Sequence, residues 1–298
     1  MQPSASVHPA RYDAQEYWTA LHAAHRGRLS AVGYAPFGEG FNRCSYLLRR
    51  SAVRRLLLRH RDPGVRNVLE AAVGVGAYAP LWRRMGIEQW IGFDIAVEAV
   101  AHCRQRFPTG MFAVDDLSAT GWRNSRIAST TFDLVSAIDV LYHLVDDARF
   151  EIALKKLAAL VNDGGLLLVS DVFVNEDRLI APHVKRRCLA TYQRILGPQM
   201  VMVDREPIFA ILGDPVPRPG RTVDRLLLNA WRLLAKGVLL TPASLRDAVG
   251  AASVLLGWPV DALVRAAGLG RGVNLEAALF RKRAARWKPA EHGLRPDE

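Results

Sequence analysis

The stretch Val68-Leu69-Glu70-Ala71-Ala72-Val73-Gly74-Val75-Gly76, followed by Ile91-Gly92-Phe93-Asp94, decides how this chain is read. The run from Val65 to Ala72 is short and apolar, breaks into two glycines and gives way to a helical pattern from Ala77 to Met85. That order is strand, tight turn, helix. Glycine is expected at such a turn because a side chain would hold the backbone away from a bound molecule, and because positive φ is cheap only without a Cβ. Asp94 closes the second apolar run, where a carboxylate can accept hydrogen bonds from both hydroxyls of a ribose. The unit reads as half of an adenosine-binding βαβ fold.

Two cofactor classes are compatible with that unit. Gly74-x-Gly76-x-x-Ala79, with Asp94 about 20 residues on, satisfies the dinucleotide fingerprint. Glu70 points the other way: a carboxylate beside the turn is poorly placed for a pyrophosphate and suits a cofactor carrying an ammonium and a sulfonium. Asp115-Asp116-Leu117 follows a third short run, Met111 to Val114, and offers an acceptor for an adenine amino group with an apolar neighbour for the ring. A fourth strand, Phe132 to Asp139, leads through His143 to a helix from Asp146 to Leu160. Asp163-Gly164-Gly165 then turns the chain into a fifth strand, Leu166 to Phe173.

Over roughly residues 65 to 175 the chain resembles the class I S-adenosylmethionine-dependent methyltransferases. The resemblance implies an α/β fold: a Rossmann-like, seven-stranded, mostly parallel sheet whose last strand is antiparallel. It implies S-adenosyl-L-methionine as cofactor. Glu70-x-Ala72-x-Gly74-x-Gly76 then matches the family's first motif. Asp94, with Ile95 after it, matches the ribose acid. Asp115 or Asp116 matches the adenine acid beside Leu117, and Asp139 lies where strand four meets the cofactor. Ala72 departs from the family, which usually has glycine there; a methyl group is expected to crowd the methionine end of the cofactor and weaken its binding.

With 298 residues, half of them apolar, the chain can bury a substantial core. No apolar run is expected to reach the roughly 18 residues of a membrane span, and Met1 to Ala10 lacks the apolar core of a secretory signal. A cytoplasmic location is the expectation. Cys44, Cys103 and Cys188 are widely spaced and read as free thiols. The net charge of +11 is uneven: about +6 over residues 1–62, about −3 over 63–175 and about +8 over 176–298. An acidic centre suits a sulfonium cofactor. Basic flanks attract an anionic substrate, a membrane surface or nucleic acid, or simply solvate helix faces.

The periodicity predicts a helical N-terminal cap over 1–62, with one helix in residues 11–30 and another from Phe41 to His60. Tyr17 and Trp18 are candidate substrate contacts, although each ring taken singly reads more readily as packed on the core edge. Val184 to Leu196 reads as a helix opened by Pro182-His183. Met200 onward reads as strand six, and Val273 to Lys282 as the last strand. The core is thus expected over 63–212 and 273–283. Between them lies a helical insertion, 213–272, with helices near Val223–Leu240, Pro242–Leu256 and Val260–Ala267. It is more apolar than one packed face requires and reads as a lid, a homodimer surface or a peripheral membrane contact. Residues 284–298 read as a frayed tail.

Methyl transfer to a hydroxyl needs alignment and a proton acceptor. His143, flanked by Tyr142 and Asp139, and His183 are the candidate bases, each also readable as a structural histidine. Asp139 and Asp171 are too isolated to argue for a metal, and none is expected. No Asn/Asp-Pro-Pro-aromatic motif follows strand four, and there is no Pro-Cys pair. The leading expectation is O-methylation of a small molecule: a sugar, a lipid-linked saccharide or a natural product. A nucleic-acid or protein methyltransferase is second, a nicotinamide-dependent oxidoreductase third, and a non-catalytic cofactor-binding protein remains open.

Overall fold

The computed structural model describes residues 12–60 and 64–284. Its centre is a seven-stranded sheet of β1 (Asn67–Ala71), β2 (Gln89–Asp94), β3 (Met111–Val114), β4 (Phe132–Ala137), β5 (Val161–Asp171), β8 (Met200–Pro207) and β9 (Glu276–Lys282). The spatial order is β3-β2-β1-β4-β5-β9-β8. Strands β1 to β5 pair in parallel, and β9 runs antiparallel to both β5 and β8. This is the Rossmann-like, mostly parallel sheet with an antiparallel last strand that the resemblance implies. The order reverses between β1 and β4, and ligands bind beyond the carboxyl ends of strands at such a switch point.

Side-chain alternation divides the core in two. Val68, Leu134, Leu168 and Leu279 face one side of the sheet, packing with Phe41, Leu56 and Trp82. Leu69, Val135, Leu167 and Phe280 face the other, packing with Phe150 and Tyr192. Because both faces are covered, the strands read as nearly continuous apolar runs. Among the helices, α1 (Ala14–His25) is N-capped by Asp13, α2 (Gly38–Arg59) packs on β8 and β9, and α3 (Ala79–Met85) and α4 (Val97–Arg106) follow β1 and β2. A short α5 (Ser125–Ala128) precedes β4, and α6 (Asp147–Ala159) is N-capped by Asp146.

Three expectations change here. The segment expected to be helical from Val184 begins instead as a two-stranded ribbon, β6 (Arg178–Ala181) and β7 (Val184–Arg186), with Pro182-His183 at its turn; only α7 (Leu189–Leu196) is helix. Ion pairs override local helix propensity: Arg186 binds Asp171, and Lys185 and Arg187 bind Asp147. The insertion folds as two helices, α8 (Thr222–Leu240) and α9 (Ala243–Ala266), the second running unbroken through Pro259. It is continuous because tertiary contacts hold it on both sides of the proline. A Cβ on Gly250 would lie 2.8 Å from the Phe37 carbonyl oxygen, and the Asp261 carboxylate accepts the N–H groups of Ala210, Ile211 and Leu212 at 2.7–3.0 Å. Finally, α9 is long and apolar enough to cross a membrane by length and composition, contrary to the expectation of no such run. The expectation for the tail beyond Ala284 falls outside the described residues.

Candidate active site

The turn after β1 holds the first group of candidates. Ala72 adopts φ +53°, the left-handed region where a Cβ is unfavourable, and Gly74 (φ +53°) and Gly76 (φ +70°) follow. A Cβ on Gly74 would meet Val32 at 2.8 Å, so its glycine lets the segment before α2 close over the turn. Gly76 lies off the cleft, and a Cβ there would run into the Phe107 ring. Its glycine therefore serves helix packing rather than approach to a ligand.

Glu70, expected as a carboxylate beside the turn that suits a cationic cofactor, lines the cleft. It is buried, and its Oε2 accepts the indole N–H groups of Trp82 (2.6 Å) and Trp90 (3.0 Å). Burial pushes its carboxyl up to about 8, against the lowering effect of the two indoles, so it carries a proton near neutrality. Asp94 at the end of β2 accepts the Gly74 N–H at 2.8 Å and the Ala96 N–H at 3.0 Å, one on each oxygen. Burial raises its pKa, while these amides and the nearby His22 oppose the shift. Each Asp94 oxygen retains acceptor capacity beyond its single amide bond.

Past β3 the two adjacent aspartates separate in role. Asp115 is buried and satisfied, its carboxylate accepting the N–H groups of Asp116, Arg123 and Asn124 at 2.8–3.0 Å. It staples the loop. Asp116 uses one oxygen, Oδ1, to bind the Ser118 N–H and hydroxyl, both at 2.8 Å. Both aspartates line one cleft together with Ile95, Leu117, Asp94, Glu70, Ala72 and Gly74.

The opposite wall of that cleft comes from β4 onward. Asp139 (φ +59°) is held by an ion pair to Arg49 from α2 and by the Ser170 hydroxyl. Asp171 is fully buried between Arg186 (3.0 Å) and the Tyr192 hydroxyl (2.8 Å). Each aspartate thus already has an arginine, and among the described residues no cluster with metal-ligand composition occurs. His143 lines the cleft and is buried; its Nδ1 lies 2.9 Å from the His183 carbonyl oxygen. A carbonyl can only accept, so Nδ1 carries the hydrogen and Nε2 is left with its lone pair. Burial drives the imidazole pKa down to about 3, keeping the ring neutral.

The ribbon turn brings the remaining candidates together behind His143. Trp18 meets His143 edge-on at 4.8 Å between centroids, His183 stacks on His143 at 5.8 Å, and Tyr17 stacks on His183 at 5.2 Å. Tyr142 adjoins His143 at 4.4 Å and lies beneath the Arg186 guanidinium at 3.9 Å. Of these residues, Trp18 and His143 line the cleft; Tyr17, Tyr142 and His183 form the layer behind.

The cleft spans about 970 Å³ when its space open to solvent is counted. Its chemistry suits S-adenosylmethionine. Asp94 and Asp116 offer acceptors at one end, Ile95 and Leu117 offer apolar surface, and the Tyr78 hydroxyl is buried at the other end with no hydrogen-bond partner among the described residues. A polar group of a bound molecule would satisfy that hydroxyl. Sequence reasoning missed His22, Tyr46, Tyr78 and Arg49. Arg49 had a signal: it falls on the helical stripe Phe41, Ser45, Tyr46, Ala52, Val53 and Leu56, which is buried. His22 had none, since only the docking of α1 over the turn places it.

The fold and its switch-point cleft define an α/β protein of the adenosine-cofactor class. The family model described as "Methyltransferase domain" matches residues 43–206, more than half of the chain, and the chain belongs to that family. It is an S-adenosylmethionine-dependent methyltransferase. Among solved structures it is similar to the N-methyltransferase NodS from Bradyrhizobium japonicum in complex with S-adenosyl-L-homocysteine, at 16% identity over 78% of this chain and 85% of that chain, TM-score 0.44. It is also similar to magnesium protoporphyrin IX methyltransferase from Synechocystis with bound S-adenosylmethionine, at 19% identity over 66% and 90%, TM-score 0.48. No curated protein sequence matches the chain.

Proposed function

We propose that the chain O-methylates a small hydroxylated molecule in the cytoplasm. The observation that carries this reading is His143, a neutral imidazole on the cleft wall whose Nδ1–H is committed to the His183 carbonyl. S-adenosylmethionine, when bound, supplies the activated methyl group. Asp94 would hold its ribose hydroxyls, Asp116 its adenine amino group, Ile95 and Leu117 the ring faces, and the Ala72–Gly74 turn its methionine end. Asp115 acts one step back, by fixing the loop that carries Asp116. As the acceptor oxygen takes the methyl group its proton becomes strongly acidic, and at that stage Nε2 of His143, a weak base because of its burial, receives it. The His183 carbonyl steadies the imidazolium so formed, and Trp18 packs edge-on against the ring.

Helix α1 supports the small size of the acceptor. Trp18 and His22 line the cleft beside the turn after β1, narrowing the space left for an acceptor. In this reading the described part of the N-terminal cap, residues 12–60, builds the acceptor side of the core through Tyr12, Trp18, His22 and Tyr46. The test is a thermal-shift comparison of S-adenosylhomocysteine with NAD, followed by labelled methyl transfer to phenols, sugars, nucleic acid and protein. Stabilisation by the homocysteine product and label on a small hydroxyl are expected; label on nucleic acid or protein alone would overturn the proposal.

A further inference from the structure

Helices α8 and α9 each carry two apolar stripes, and only one stripe of each is used. On α8, Leu227, Trp231 and Val238 are buried against the body. Leu226, Leu233 and Leu240 recur every seven residues on another side, with Leu233 75% and Leu240 74% exposed. On α9, Gly250, Val254 and Asp261 face inward. Leu256 (77% exposed), Leu263 (72%) and Trp258 face out. Scattered exposed leucines are ordinary, whereas a concentration of this kind on one hairpin marks a surface that binds something apolar.

Charge decides what that is. The acidic side chains of the two helices are engaged with the protein: Asp224 with Arg218 at 2.6 Å, Asp247 with the Glu39 N–H at 2.8 Å, and Asp261 with Arg265 and three backbone N–H groups. The cations Arg225, Arg232 and Lys236 of α8 are exposed and form no ion pair among the described residues. Leucines, a tryptophan and unpaired cations together are complementary to an anionic bilayer surface. A second copy fits poorly, because a two-fold contact sets the same patch against itself and brings like charges together. A membrane span also fits poorly, since α9 packs on α2 along one face and its buried Asp261 caps the loop after β8. The hairpin is held flush on the body, with an apolar and basic outer face.

We infer that the α8–α9 hairpin docks the enzyme peripherally on anionic lipid, the outer leucines and Trp258 entering the interface and the α8 cations meeting headgroups. The surface adjoins the cap over the site: Trp231 packs on Tyr34 at 5.3 Å and on Phe37 at 5.5 Å, just before α2 and its Arg49. The inference does not depend on the acceptor proposed above, because docking is read without cofactor or turnover. The experiment is co-sedimentation of the full chain with vesicles of phosphatidylcholine alone and of phosphatidylcholine with phosphatidylglycerol, at low and high salt. Binding to the anionic vesicles that weakens with salt is expected. Leu233→Asp with Leu256→Asp should reduce it on the order of tenfold or more. Arg225→Glu, Arg232→Glu and Lys236→Glu together should abolish the preference for anionic lipid, a loss on the order of a hundredfold. Melting temperatures should be unchanged in both sets, the altered side chains being exposed. Absence of vesicle binding, or equal binding to both vesicle types, overturns the inference. So does a dimer in light scattering that the same leucine substitutions dissolve, since a second copy would then cover the face.

Discussion

Replacing Glu70 with Gln separates the charge of this carboxyl from its hydrogen bonds. In the folded chain it holds its proton up to about pH 8, against an ordinary value of 4.5, because burial disfavours the anion more than two indole N–H groups favour it. The unfolded chain releases that proton near the ordinary value. Between the two values the unfolded state binds fewer protons, so Glu70 makes stability fall as pH rises; below 4.5 the contribution vanishes. Across the whole interval the loss is about 5 kcal/mol at most. For a chain of this size that is on the order of 10 °C in melting temperature. A glutamine oxygen still accepts from both indoles but does not titrate. Urea unfolding of both proteins from acid to mildly alkaline pH should give curves that coincide near pH 4.5 and diverge steadily toward pH 8, the variant being the more stable. Parallel curves would refute the reasoning, for they would mean that Glu70 ionises in the fold as it does in water.

Other substitutions test neighbouring features. His143→Ala should lower kcat roughly 10²- to 10⁴-fold with little change in S-adenosylhomocysteine affinity. With its pKa near 3, this histidine should place no inflection in the pH–rate profile around neutrality; one that disappears in the variant would contradict its neutral state. Ala72→Gly relieves a left-handed alanine, a gain of roughly 1–2 kcal/mol less roughly 0.5–1 of chain entropy, so denaturation should show a net gain of about 1 kcal/mol, and calorimetry tighter cofactor binding. Arg49→Met leaves Asp139 buried without its cation and should cost about 3–5 kcal/mol. Adding Asp139→Asn should recover much of that in a double-mutant cycle.

The central sheet was legible because its strands bury both faces. Apolar runs closed by Gly74 and Asp94, and the run Leu166 to Phe173 that follows Gly164-Gly165, announce parallel strands without tertiary information, although β5 starts before those glycines, at Val161. The terminal antiparallel strand was legible for the same reason. The ribbon was not: Leu179 and Ile180 are exposed, and Val184 to Arg186 hold their extended shape through distant partners, Asp147 and Asp171. Pro259 reads locally as a helix boundary, yet the grip of Asp261 and Gly250 on the body carries α9 through it. In the site, residue types were readable and partners were not. Asp115 and Asp116 are indistinguishable in the sequence, while the fold makes one a staple and leaves the other an open oxygen. Glu70 shows the same limit, since nothing local reveals that Trp82 and Trp90 converge on its carboxyl.

The claim on which the rest depends is that the cleft beside Gly74 and Asp94 holds the cofactor. Calorimetric titration of S-adenosylhomocysteine into the wild-type chain and into Asp94→Ala tests it most directly. Binding at one site per chain, lost by roughly a hundredfold or more in the variant, is the result predicted from the loss of a buried, charged acceptor. Equal affinity in a variant that remains folded would place the cofactor elsewhere and contradict the account.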